Sequence, residues 1–410
     1  MLFSKYRAPV LPRRTGAYAP DELTGRCVLV QGPGALAEAV RAQGGLLVDR
    51  GPLDAVVLDT SGCDSVAALR VLYDALHPAV RLLGAGGRVL LLAAGVPPSP
   101  QAAACARAVE GFTRSLAKEL GRRGATANCL YLEPGAALDA PLAFFCSERS
   151  AYVCGQALHW QAASATARPA RRISVVTGAA GGIGAATVRR LAAEGDCVLC
   201  VDVPQADAAL RALAAETSGE ALPLDLTAPG APAQLAQAVQ RAGGADVLVH
   251  NAGITRDRSL GRMSAQEWDQ VLDLNLRAIL AIDAALDAAG ALNAAAREIC
   301  LASISGIAGN AGQANYAASK AGLVGYVAAR GQQLAARGST VNAVAPGFIE
   351  TAMTHAIPFM VRTVGRRLNS LRQGGRPADV AEAIAFLARP EARGCNGQVL
   401  RVCGQSWLGA

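Results

Sequence analysis

Tyr316 and Lys320 stand four residues apart in Asn315-Tyr316-Ala317-Ala318-Ser319-Lys320, at the head of an apolar run that reaches Leu334. On a helix the two side chains lie one turn apart on the same face and can act on one bound molecule. A phenol, with a pKa of about 10, is a poor acid–base group at neutral pH, and an adjacent ammonium favours the phenolate and lowers that value. The chemistry such a pair offers is proton transfer. A boundary tyrosine beside a solvated lysine shows the same spacing, so other residues must decide.

A second group of residues offers a seat for a dinucleotide. Thr177-Gly178-Ala179-Ala180-Gly181-Gly182-Ile183-Gly184 follows a strand-like run and opens a helical one. Glycines there permit a tight turn and close backbone approach to a pyrophosphate. Asp202 ends the next strand-like run, 18 residues beyond Gly184, where a carboxylate accepts hydrogen bonds from ribose hydroxyls. Its charge repels a 2′-phosphate and no arginine stands in the turn to neutralise one, which favours NAD(H) over NADP(H). A strand-end aspartate can also cap the following helix.

Positioning these groups requires strands that end in turns and helices that begin there. The chain has 410 residues, enough for two domains with separate cores. Hydrophobic residues make up 52% and aromatic residues only 4%, so the apolar content is mostly Ala, Val and Leu, as helices packed on buried parallel strands require. Strand-like runs at 26–31, 46–48, 55–58, 88–94 and 126–132 alternate with alanine-rich helical stretches, notably 102–121. Residues 161–171 lack a hydrophobic period and read as a linker. Beyond it, runs at 173–177, 197–202, 221–224, 247–250, 298–303, 340–345 and 398–402 give seven strands for one sheet. The expected class is α/β, with two doubly wound parallel-sheet, Rossmann-like domains at 23–160 and 172–410 behind an N-terminal arm of residues 1–22.

The two parts match in detail. Leu120, Arg123, Gly124 and Asn128 recur at constant offset as Leu334, Arg337, Gly338 and Asn342, and Pro134-Gly135 returns as Pro346-Gly347, which implies an internal duplication. In that register Ala102, Ala106 and Ala94 stand opposite Tyr316, Lys320 and Ser303. The first copy has kept a framework and lost the polar groups, an asymmetry that favours a functional reading of the second. Gly32-Pro33-Gly34 is also two residues short of the full glycine turn. The N-terminal domain therefore reads as a degenerate, flavodoxin-like copy without a dinucleotide.

Taken with Asn251-Ala252-Gly253, Ser303 and Pro346-Gly347, the glycine turn and Tyr316-x3-Lys320 fall in an order and spacing that resemble the short-chain dehydrogenase/reductase family. Asn251 to Asp257, Gly309 to Tyr316 and Ala345 to Thr351 are similar to its 3-oxoacyl-(acyl carrier protein) reductases. A degenerate first copy and the ending Cys403 to Ala410 resemble the high-molecular-weight form. The resemblance implies Tyr316 as general acid toward a carbonyl oxygen, Ser303 as a second donor to it, Lys320 as the group that lowers the tyrosine pKa and holds the nicotinamide ribose, and Asn275 as support for a water relay. For the cofactor it implies Gly178, Gly181, Gly182, Ile183 and Gly184, the ribose carboxylate Asp202, and Asp225 and Leu226 near the adenine. It further implies backbone approach at Asn251, Ala252 and Gly253, with Pro346, Gly347, Ile349 and Thr351 toward the nicotinamide. Asn251 could equally be a turn asparagine.

The activity this implies is NAD(H)-dependent reduction of a 3-oxoacyl thioester to the 3-hydroxyacyl product. Arg337 occupies one place where such reductases present an arginine to an acyl carrier protein, but Asn293-Ala294-Ala295-Ala296 stands where the other is expected, so an acyl-CoA remains as good a substrate. The rivals are a dehydrogenase of another alcohol, such as a steroid or sugar, and a nucleotide-binding sensor without turnover. The resemblance also implies self-association, as a homodimer or larger homo-oligomer, through the helices around 264–290 and 314–337.

Other classes find little support. No apolar run approaches the ~20 residues that span a bilayer. Lys5, Arg7, Arg13 and Arg14 precede no apolar signal segment, so the expected location is cytoplasmic. The net charge of +7 is spread along the chain rather than clustered among aromatics, which argues against nucleic acid. The 11 cysteines are scattered, and Cys197 and Cys200, although spaced like a redox dithiol, lie in a strand-like run. His77, His159, His250 and His355 show no metal-ligand spacing, and no metal is expected.

Overall fold

A computed structural model of the chain describes residues 8–163, 168–351, 354 and 359–407. Lys5 and Arg7 of the arm, residues 164–167 of the linker and residues 408–410 of the tail lie outside them. The chain divides into two compact units. One holds Met1–Ser164, Phe348–Gly375 and Val402–Trp407, and the other Ala165–Gly347, Arg376–Arg401 and Leu408–Ala410.

The first unit runs β1 (Cys27–Gln31), α1 (Gly34–Ala42), β2 (Leu46–Leu47), β3 (Leu53–Asp59), α2 (Arg70–Leu82), β4 (Leu83–Ala94), α3 (Pro100–Leu120), β5 (Thr126–Leu132), α4 (Asp139–Phe145) and β6 (Ala157–Trp160). Its sheet is parallel, in the order β2-β1-β3-β4-β5-β6. Val89 to Ala93 are all buried, as a strand covered on both faces must be. Helix α3 starts where Ser99 accepts from Ala102 N and Pro100 takes the first helical position, where its missing N–H costs nothing.

The second unit supplies β7 (Ile173–Thr177), α5 (Gly182–Ala193), β8 (Cys197–Asp202), α6 (Asp207–Glu216), β9 (Glu220–Pro223), α7 (Ala231–Ala242), β10 (Ala245–His250), α8 (Ala265–Leu272), a π-turn (Asp273–Arg277), α9 (Ala278–Ala288), β11 (Leu292–Leu301), α10 (Ile304–Ala308), α11 (Ala314–Leu334) and β12 (Thr340–Pro346). Helix α12 (Phe359–Arg367) belongs to the segment grouped with the first unit, and α13 (Pro377–Ala388) and β13 (Val399–Val402) complete the order. The seven-stranded sheet reads β13-β12-β11-β10-β7-β8-β9. The architecture is α/β and Rossmann-like in both units. Among the described helices none is long and apolar enough to cross a membrane.

Core packing fixes the helices that carry the site. Leu323, Val327 and Leu334 of α11 pack with Ile279 of α9 against Cys300, Val341 and Ala343 of β11 and β12. On the neighbouring strands, Leu235 and Val239 of α7 with Ile282 and Leu286 of α9 cover Val175, Leu199, Val201 and Leu248. Each large aliphatic side chain buried this way contributes about 1.5–3 kcal/mol.

Strand β11 begins at Leu292, six residues before the run expected at 298. Asn293 to Ala296 carry no β-branched residue and look helical by composition, yet a register shift between Ala245 and Val247, with Ala295 at φ +58°, absorbs them into the strand. Cys197 and Cys200 both lie in β8, three residues apart and so on opposite faces of the strand, and all 11 cysteines are free, so the spacing forms no dithiol pair.

The two sheets match strand for strand once β9 is left out. Asn128 donates to Val153 O at 3.1 Å and accepts from Gln156 N at 3.0 Å. Asn342 likewise donates to Cys395 O at 2.8 Å and accepts from Gln398 N at 3.1 Å. Arg88 and Arg297 are both buried and bonded to main-chain carbonyls beside their strands.

Candidate active site

The buried strand β7 ends in the glycine turn, and the geometry shows what each glycine is for. Gly178 has φ +65°, and a Cβ there would lie 2.8 Å from Ala252 Cα. A Cβ on Gly184 would lie 1.9 Å from Gly178 O, so α5 approaches the strand too closely for any side chain. Gly181 differs, since a Cβ there meets nothing within 4 Å. It caps α5 with no side-chain acceptor on the first-turn N–H groups, so an anion can be received there. A pyrophosphate fits this open, N–H-lined turn. Gly182 is exposed and Ile183 half-buried at the helix start.

Asp202 ends β8 with both oxygens engaged: Oδ2 accepts from Ala180 N in the turn at 2.8 Å, and Oδ1 from Val203 N at 2.8 Å. The carboxylate is thus tied to the turn itself. Asn251 locks the turn from the other side, donating to Thr177 O at 3.0 Å and Gly178 O at 2.9 Å. Thr177 Oγ1 accepts from Asn251 N and Ala252 N, both at 3.1 Å. These bonds are those of a turn asparagine, one of the two readings open in sequence. Asp225 accepts from Thr227 N at 2.9 Å in a local turn, with Leu226 buried behind it.

Ser303, Tyr316, Lys320 and Asn275 are brought together. Ser303 caps α10, its Oγ accepting from Ser305 N at 3.1 Å, and its hydroxyl lies beside that of Tyr316, whose pKa it lowers. Tyr316 is half-buried in the first turn of α11. The Lys320 Nζ lies 5.8 Å from the Tyr316 ring centre and donates to Leu301 O at 2.6 Å. Asn275 sits in the π-turn, accepting from Ile254 N and donating to Ile254 O, both at 2.9 Å, and donating to Ser319 Oγ at 3.2 Å. Gly253 lies between, where a Cβ would be 3.1 Å from Asn275 Oδ1 and 3.4 Å from Lys320 Nζ. Pro346 ends β12, followed by Gly347. Ile349 and Thr351 belong to the segment grouped with the first unit, where Ile349 is buried and bridges Gly375, and Thr351 N donates to Thr354 Oγ1 at 2.9 Å.

The protonation of the pair is governed here by burial. Burial raises the Tyr316 pKa, the Ser303 hydroxyl lowers it, and the Asp257 carboxylate raises it. The ammonium is itself buried, which pushes it down to about 8 against a small opposing effect of Cys300, and its bond runs to Leu301 O. In both groups desolvation decides the direction of the shift.

Two positioning residues have no role in the sequence reading. Buried Asn315 donates to Arg256 O at 3.2 Å and Glu267 O at 3.0 Å while accepting from Tyr316 N at 2.8 Å. It joins the start of α11 to α8 and to the loop after β10. Ser319 links Asn275 to Tyr316 O, to which it donates at 2.8 Å. Their position directly before the tyrosine and lysine was the available signal.

A family model described as enoyl-(acyl carrier protein) reductase matches residues 178–404. The 3-oxoacyl-[acyl-carrier-protein] reductase FabG of Vibrio cholerae is 38% identical over 238 residues, covering 58% of this chain and 98% of that protein. FabG of Escherichia coli is 38% identical over 239 residues, with the same coverage of 58% and 98%. The 3-oxoacyl-[acyl-carrier-protein] reductase of Synechocystis is 40% identical over 243 residues, covering 57% of this chain and 96% of the relative.

Proposed function

The chain belongs to the short-chain dehydrogenase/reductase family, as an oxidoreductase of the 3-oxoacyl-(acyl carrier protein) reductase type, and from this premise we propose that it reduces 3-oxoacyl thioesters with NADH. The observation that carries the reading is the contiguous Ser303–Tyr316–Lys320–Asn275 group beside an open glycine turn. A bound reduced nicotinamide supplies the hydride. As negative charge grows on the substrate's 3-oxo oxygen, the hydroxyls of Ser303 and Tyr316 both donate to it, and Tyr316 releases its proton there. A phenol kept protonated by burial suits an acid. Lys320 spends one of its three N–H donors on Leu301 O and keeps the others for the ribose and the phenolate that Tyr316 becomes. The test is NADH oxidation by the purified protein with acetoacetyl-CoA and with an acetoacetyl carrier protein. No turnover with either, alongside turnover of a steroid or sugar ketone, would replace this reading.

The thioester carrier is proposed as either coenzyme A or the acyl carrier protein that the relatives' names specify. Arg337 is half-exposed, with its guanidinium shared between Leu292 O and Asp287, and Asn293 is engaged with Asp246, which leaves one arginine where two would favour a carrier protein. The cofactor is proposed to be NADH because Asp202 holds its carboxylate against the turn. Like charges in contact cost several kcal/mol, so Asp202→Ser is expected to raise kcat/KM for NADPH by about 10²-fold and to lower that for NADH. An unchanged preference in steady-state assays would reject this assignment.

A pH dependence follows from Lys320. Its ammonium loses a proton above about 8, so kcat/KM for reduction is expected to fall about tenfold per pH unit beyond that point. A rate constant flat to pH 9.5 would rule out the charged lysine as a requirement.

Residues 23–160 are proposed to be a degenerate, flavodoxin-like copy that binds no dinucleotide, in a self-associating protein. The strand order β2-β1-β3-β4-β5 supports this, as do Ala94, Ala102 and Ala106 opposite the polar groups of the second copy. Calorimetric titration is expected to give one NADH per chain, and two would refute it.

A further inference from the structure

Below the site, β10, β11, α9 and α11 enclose a charged cluster that the reaction does not use. His250 and Asp283 are 1% exposed, Glu298 3% and Arg330 5%. Asp283 Oδ1 lies 2.8 Å from His250 Nε2, its Oδ2 accepts from the Tyr326 hydroxyl at 2.5 Å, and a carboxyl oxygen of Asp283 lies within 4.8 Å of one of Glu298. Arg330 Nε donates to Glu298 at 2.8 Å and lies 3.6 Å from Asp283, while its Nη1 donates to Asp287 at 2.8 Å.

Counting donors locates a proton. Two buried carboxylates this close repel each other, and protonation of one relieves that repulsion. Asp283 receives donors from His250 and Tyr326 with Arg330 close by, whereas among the described residues Glu298 receives only Arg330, so the proton belongs on Glu298, facing Asp283. The directions of titration agree. Burial and Asp283 push Glu298 well above the carboxylate range, and although burial opposes it, the His250 ring and Arg330 hold Asp283 below its ordinary value. The three ligand-bearing groups of His250, Asp283 and Glu298 lie within 4.8 Å of one another, close enough for a cation, but the Arg330 guanidinium already supplies the positive charge.

Helix α11 is tied to β11 at two places, by Lys320 to Leu301 O and by Arg330 to Glu298. We propose that Glu298 is a positioning residue for the catalytic helix: one proton held between Glu298 and Asp283 seats Arg330, and thereby keeps Tyr316 and Lys320 in register against β11. Buried ion pairs are poor stabilisers compared with apolar packing, which makes register the better account of their presence here. The groups facing Glu298 are Asp283 and Asp287 on α9, Tyr326 and Arg330 on α11, Cys300 and beyond it Lys320, and His250 on β10.

The folded chain holds a proton at Glu298 that the unfolded chain releases above its ordinary value of 4.5. Stability from this group is therefore complete below that pH and is lost as pH rises toward the folded value. Asp283 acts oppositely, losing its contribution at the acidic end. Glu298→Gln keeps a neutral group facing Asp283 and an acceptor for Arg330, with nothing to ionise, whereas Glu298→Ala removes both.

The wild-type Tm is expected to fall by about 5 °C more than that of Glu298→Gln between pH 6 and 9. At pH 7, kcat for NADH-dependent reduction should stay within about twofold in Glu298→Gln and drop at least about tenfold in Glu298→Ala, the cost of misplacing catalytic groups slightly. Parallel Tm profiles for wild type and Glu298→Gln would overturn the proposal. So would a Glu298→Gln enzyme as slow as Glu298→Ala, or a rise in wild-type Tm on adding zinc at pH 8. If Glu298→Ala fails to fold, the wild-type and Glu298→Gln profiles decide alone. The Tm comparison does not depend on which thioester is reduced.

Discussion

Tyr316→Phe is expected to lower kcat for NADH-dependent reduction by roughly 10²–10⁴-fold, the range for loss of a positioned general acid, while leaving NADH affinity nearly unchanged. The ring is half-buried at the start of α11 and its backbone N–H is held by Asn315 Oδ1, so phenylalanine occupies the same space and only the hydroxyl is lost. What disappears is the proton donor beside the Ser303 hydroxyl. Ser303→Ala keeps the acid and loses one donor to the developing oxyanion, and it should cost less, roughly 10²-fold. Pre-steady-state kinetics with quenched nucleotide fluorescence separate the two quantities. If Tyr316→Phe turns over at the wild-type rate, proton delivery comes from elsewhere and the proposed reaction loses its acid.

Gly184→Ala is expected to weaken NADH binding by at least ~10²-fold and to lower Tm, because the added Cβ would lie 1.9 Å from Gly178 O. That carbonyl cannot retreat, since Asn251 holds it at 2.9 Å and Gly178 is itself pressed against Ala252. Gly181→Ala provides the contrast. Its Cβ meets nothing within 4 Å in the protein and the backbone there is extended, so Tm should stay within ~1 °C. If the space beside Gly181 belongs to a pyrophosphate, the same methyl group still reduces NADH affinity tenfold or more, about 1.4 kcal/mol. Calorimetry on both variants reads folding and binding separately. A Gly181→Ala protein with wild-type affinity would move the phosphates away from this turn.

Local pattern made much of this legible. Strands buried on both faces need continuous apolar runs, so β7, β8 and β12 could be read directly from Ile173, Cys197 and Thr340 onward. The start of β11 could not, because Asn293 to Ala296 carry no strand preference and fall in the register shift between the pairs Ala245–Leu292 and Val247–Arg297. Tyr316 and Lys320 were legible because helical geometry places residues four apart on one face regardless of the rest of the fold. Asn315 stood in plain view, but its task depends on Arg256 and Glu267 arriving from elsewhere.

The amino-acid order by itself determined which side chains sit on α11 and which glycines open α5, because those are consequences of short-range geometry. It also determined the repeat, visible in Asn128 and Asn342 before their matching bonds were seen. Only the tertiary structure decided the electrostatics. Whether burial or a neighbouring ammonium governs Tyr316, and whether His250, Asp283, Glu298 and Arg330 ever meet, depends on solvent exclusion and on contacts between distant segments. Desolvation is a property of the packed surroundings, and no spacing along a chain encodes it.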